Sequence, residues 1–104
     1  MIIIDSDILI RFSRGDDVAA NWLEAAAEAT ALSISVVTKL ELFVGCRDKK
    51  HLDETRNFLS RYPAVSINEA ISDRASYLIE KYNLSHGLLI PDALIAATAI
   101  EVLR

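Results

Sequence analysis

The chain has 104 residues, 52% hydrophobic and 25% charged, a composition that excludes a disordered or low-complexity polypeptide and fits one globular domain over residues 1–104. Its net charge of −4 and single cysteine exclude broad nonspecific nucleic-acid binding and an internal disulfide framework. They leave room for a site where acids hold a metal and a local basic patch holds phosphate. No segment has the pattern of a signal peptide and no apolar run is long enough to span a membrane, so a cytoplasmic location is expected.

The first strand is predicted over residues 2–5, because Ile2-Ile3-Ile4 is the strongest β-branched run in the chain. It delivers Asp5 at its carboxyl end, where ligands bind in open α/β sheets, and Asp7 follows. Residues 16–29 read as an alanine-rich helix with Asp16 and Asp17 complementing its dipole, and with Val18, Trp22, Ala25 and Ala26 as its inner face. Leu32-Ser33-Ile34-Ser35-Val36 alternates like a strand. Residues 37–46 then take up helical spacing through Leu40, Phe43 and Val44, with Ser35 as N-cap.

A charge run, Arg47 to His51, leads into a helix over 52–62 whose Leu52, Leu59 and Tyr62 share one face and which Pro63 stops. Residues 64–67 form a third strand, Asn68 caps a helix over 69–82, and 83–90 form a loop containing Gly87. Pro91 opens a last helix over 92–100, at the first-turn position that proline tolerates. Strands separated by helices predict an α/β fold with right-handed crossovers and a short parallel sheet. The last helix is apolar nearly all round, so cover is expected on both its faces.

Four acids stand among apolar neighbours: Asp5, Asp7, Glu41 and Asp92. If they converge at one end of the sheet, they repel one another and take up protons unless a cation neutralises them. Oxygen ligands without a histidine or cysteine cluster indicate Mg²⁺ or Mn²⁺, and such a site hydrolyses phosphodiesters with metal-activated water. Each acid also has a plainer role. Asp5 and Asp7 suit a turn or cap, Glu41 a solvated helix face, and Asp92 a first helical turn.

Thr38, one turn before Glu41, is a candidate contact for metal-bound water, although first-turn threonines are commonly structural. Arg11 and Arg14 follow the first acids closely and are candidates for contact with substrate phosphate. Arg47, Lys49 and Lys50 are further candidates for phosphate, although the two lysines read more simply as a solvated surface run. His51 and His86 have no spaced partners, Cys46 has no base beside it, and Trp22 reads as core.

Three motifs in order resemble the PIN-domain nucleases, and in particular the VapC-type toxins of toxin–antitoxin pairs. Ile4-Asp5-Ser6-Asp7 is similar to the family's first motif. The segment from Ser35 to Gly45, with Glu41, is similar to its second, and Asp92-Ala93-Leu94-Ile95-Ala96-Ala97-Thr98-Ala99 to its third. The resemblance implies a three-layer fold with a short parallel sheet flanked by helices, and a metal-dependent endoribonuclease. It makes Asp5, Glu41 and Asp92 the metal ligands and catalytic residues, with Ser6 and Asp7 at the site's edge.

The resemblance also implies an antitoxin partner. The family continues beyond the third motif into further strands, so the chain is expected to be shortened at its C-terminus, with an open sheet edge beside Asp5 that favours a homo-oligomer. Two rival readings remain open. A PIN remnant would bind a partner or oligomerise without turnover. A haloacid-dehalogenase-type phosphohydrolase would use Asp5 as nucleophile and Asp7 as general acid.

Overall fold

The apolar start of the chain forms strand β1 (Ile2–Ile3), the first of three parallel strands in a computed structural model that describes residues 1–103. Ile2 lies beside Leu32 and Ile3 beside Ser33 of β2 (Leu32–Ser35), and Ile34 lies beside Ala64 of β3 (Ala64–Val65). The spatial order is β1-β2-β3, so β2 is central and buried along its length, while β1 pairs on one side only among the described residues. One further bond, from the Ile4 amide to the Ser33 carbonyl at 2.8 Å, carries the pairing to the edge of Asp5.

Between β1 and β2 run α1 (Ser6–Ser13) and α2 (Asp17–Ala29); between β2 and β3 run α3 (Val36–Val44) and α4 (Lys49–Leu59). The chain then makes an antiparallel pair from α5 (Glu69–His86) and α6 (Ile90–Val102). Helix starts follow local chemistry. Side-chain oxygens of Asp16, Ser35, Asp48 and Asn68 each accept a backbone amide from the first turn of their helix.

Two apolar clusters hold these elements together. The first collects Ile4, Leu9, Leu23, Leu32, Ile34 and Leu59 from one face of the sheet and from α1, α2 and α4. Each such fully buried side chain contributes about 1.5–3 kcal/mol. Alternate strand residues point to the opposite face, where the small, buried Ser33 and Ser35 of β2 let α6 pack against β1 and β2. The second cluster joins α5 to α6 through Ile71, Ala75, Ala93 and Ala97.

The predicted α/β class and parallel sheet are as observed, and several boundaries move. Residues 6–13 are helical, since Asp5 caps them and Ile8, Leu9 and Phe12 recur at helical spacing. In α2 the inner face is Ala19, Leu23 and Ala26; Val18 is 68% and Trp22 40% exposed, so neither is core. Helix α4 starts at Lys49 because Asp48 caps it, three residues before its first leucine. Helix α5 runs on to His86, where Gly87 at φ 68° ends it. The last helix is covered on more than one side, by α5 and by α3, β1 and β2, with residues 93–99 buried or half-buried, while Ile90 and Ile100 near its ends are exposed.

Candidate active site

Asp5 stands where β1 gives way to α1. Its carboxylate accepts the Asp7 amide at 3.1 Å, which makes it the N-cap of α1. Ser6 opens that helix and is half-buried, while Asp7 is exposed in its first turn, favourably placed against the helix dipole. Glu41 lies on the exposed side of α3. Asp92 lies in the first turn of α6, exposed, next to Pro91. The three elements meet: α3 packs on α1, which Asp5 caps, and on α6, and α6 packs on β1, which ends two residues before Asp5.

The side chains themselves remain apart. Among the described residues no three Asp, Glu, His or Cys side chains stand close enough to hold one metal ion together. Each of these acids is exposed. The donor set suits a hard divalent cation in kind, being all oxygen. The surroundings add one orphaned polar atom: the hydroxyl of Thr38, fully buried one helical turn before Glu41, has no hydrogen-bond partner.

The two arginines after the first acids have different fates. The Arg11 guanidinium is held by Asp16 at 3.0 Å. Hydrogen bonds from the Ala19 amide and from Arg11 keep the Asp16 carboxylate below its ordinary pKa. Arg14 instead lines an open cavity of about 580 Å³ between α1, α3 and α4, where Glu41 forms part of the wall.

Sequence reasoning named Arg47 as a possible phosphate contact but passed over His51, and both line this cavity. Lys49 does behave as surface, paired with Asp53 at 3.2 Å. The missed signal was Asp48. Read as an N-cap, it starts α4 early enough to put His51, Thr55 and Phe58 on one helical face, and all three line the cavity.

The order of elements, the three-strand parallel sheet and acids carried on α1, α3 and α6 define an α/β domain of PIN-like architecture. Residues 2–102 match the PIN domain family, and the chain belongs to that family. Over 100 residues, covering 95% of this chain and 74% of the relative, it is 38% identical to Ribonuclease VapC10 of Mycobacterium tuberculosis, in strains CDC 1551 / Oshkosh and ATCC 25618 / H37Rv. A chain of a toxin-antitoxin complex from Klebsiella pneumoniae superimposes with a TM-score of 0.80 at 30% identity, over 99% of this chain and 81% of that one. The haloacid-dehalogenase reading is set aside by this membership. No described helix is long and apolar enough to cross a membrane.

Proposed function

We propose that this protein is a cytoplasmic, metal-dependent endoribonuclease and the toxin of a toxin–antitoxin pair. The observation that carries the reading is the packing of α1, α3 and α6, which places Asp5, Glu41 and Asp92 on three touching elements of a PIN domain. Identity to a ribonuclease over nearly the whole chain, and likeness to a chain of a toxin-antitoxin complex, support the substrate class and an antitoxin partner.

In this reading Asp5, Glu41 and Asp92 hold Mg²⁺ or Mn²⁺. When bound, the cation supplies the acidity that activates water and neutralises charge on phosphodiester oxygens. The chain's own residues position the substrate. Arg14 meets RNA phosphate at the cavity beside Glu41, Arg11 braces Asp16 at the start of α2, and Asp7 and Ser6 border the site. The one-sided pairing of β1 and the exposed Ile90 and Leu89 support self-association, which light scattering tests; a monomer at all concentrations would count against it.

The functional test is cleavage of a panel of structured RNAs in Mn²⁺ by the 104-residue chain, beside Asp5→Asn, Glu41→Gln and Asp92→Asn. Cleavage lost in all three variants is the expected result. A second reading is a binding module without turnover. A folded wild-type chain that cuts no RNA in the panel would establish that second reading in place of the first.

A further inference from the structure

The cavity beside Glu41 has a glycine in its wall that the backbone does not require. Gly45 caps α3 at φ −76° and ψ −4°, a conformation open to any residue. A Cβ there would meet only the Glu41 and Leu42 carbonyl oxygens, at 3.6 and 3.7 Å, which is ordinary contact. Neither conformation nor crowding calls for glycine at this position. Its missing side chain leaves that part of the cavity wall open, four residues along the chain from Glu41.

The remaining wall combines two chemistries. On the apolar side, Phe12 and Phe58 stack on each other with ring centroids 5.2 Å apart and planes 13° from parallel, and Phe58 also carries Arg61 over its ring at 5.8 Å, so the half-buried Phe12 offers the freer aromatic surface of the wall. On the polar side, Arg14 and Arg47 line the cavity together with the Glu41 and Glu54 carboxylates, and no ion pair among the described residues engages either arginine. Arg11, Arg56 and Arg74 are all paired. The Nδ1 of His51 accepts the Arg47 amide at 3.1 Å, so the neutral ring carries its hydrogen on Nε2 and keeps a donor for an occupant.

We infer that this cavity receives one unpaired nucleotide of the RNA substrate, next to the phosphodiester that the acids attack. The base lies against the Phe12–Phe58 wall, and the phosphate meets Arg14 and Arg47. A volume of about 580 Å³ suits a nucleotide. Stacking on aromatic faces together with unpaired guanidinium groups is how proteins grip single strands without reading a duplex. A wholly apolar polypeptide segment would cover the aromatic wall and leave two arginines and an imidazole donor without a counterpart. The inference rests on the nuclease reading above and adds to it the position of a substrate subsite.

The test measures binding of a short fluorescein-labelled single-stranded RNA by anisotropy in EDTA, where no cleavage occurs. Gly45→Leu, which builds into the cavity, is expected to weaken binding about tenfold or more, and Gly45→Ala to stay within about twofold. Arg47→Gln is expected to weaken binding and to lower the salt dependence by about one phosphate contact. Thermal melts confirm that each variant is folded, and Arg47→Gln carries the test should Gly45→Leu not fold.

RNA affinity within about twofold of wild type in folded Gly45→Leu or Arg47→Gln would overturn the proposal and leave the cavity to a polypeptide partner. That failure is distinct from failure of the nuclease reading. Intact cleavage with unchanged RNA binding in the cavity variants refutes the subsite alone, whereas Asp5→Asn cleaving like wild type refutes the catalytic assignment.

Discussion

Asp5 carries two roles that substitution separates. Its carboxylate caps α1 through the Asp7 amide at 3.1 Å, and it is the first of the three acids assigned to the cation. Asparagine keeps a side-chain oxygen in the same place and is an equally good N-cap; alanine is not. Asp5→Ala therefore costs about 1 kcal/mol, which in a domain of this size lowers the melting temperature by about 4–8 °C. Asp5→Asn loses only the interaction of an exposed anion with the helix dipole, about 0.3 kcal/mol, and melts within about 2 °C of wild type. For cleavage the two variants are equivalent, because both remove the charge. Loss of a direct ligand exceeds the 10–100-fold typical of an outer partner, so both fall by about 100-fold or more. The assay pairs melting followed by circular dichroism with RNA cleavage in Mn²⁺. If Asp5→Asn keeps cleavage within about tenfold of wild type, Asp5 is a cap alone. If it melts as low as Asp5→Ala, the capping account is wrong.

Three further outcomes are expected. Thr38→Val removes a buried hydroxyl that has no partner and stabilises the fold by about 1–2 kcal/mol. Thr98→Val, whose hydroxyl bonds the Leu94 carbonyl at 2.7 Å within its own helix, stays within about 0.5 kcal/mol; equal effects in chemical denaturation would contradict this contrast. Gly87→Ala forces a side chain into the left-handed conformation at φ 68° that ends α5, and destabilises by about 1 kcal/mol in the same measurement. The Asp16 carboxylate, held below its usual value of 3.8 by the Ala19 amide and Arg11, contributes stability that is fully present above that pH and lost as pH falls through its folded value. The stability difference between wild type and Asp16→Ala should be level near neutrality and shrink in acid; a difference that grows in acid would refute the assignment.

The strands and most helices are legible because their signals are local. Ile2 to Ile4 and Leu32 to Ser35 alternate or branch as strands do, and Ser35 and Asn68 announce helix starts through their own side chains. Helix α1 was hidden because its apolar residues follow directly on those of β1, and only the capping by Asp5 divides them. The inner face of α2 was misjudged because alanine and tryptophan give little contrast; burial there is decided by which stripe meets the sheet, a tertiary fact that places Leu23 inside and Trp22 outside. The candidate acids could be picked out as residues. Their exposure and separation could not, because spacing along the chain does not fix the direction of side chains on three different helices.

Helix α6, which carries Asp92, buries Ala93 and Ala97 with Ile71 and Ala75 of α5 and also packs on β1, β2 and α3. The position of Asp92 relative to Asp5 and Glu41 is therefore set by a helix held between α5 and the sheet. A small molecule wedged between α5 and α6 would silence the enzyme from a distance without approaching the carboxylates.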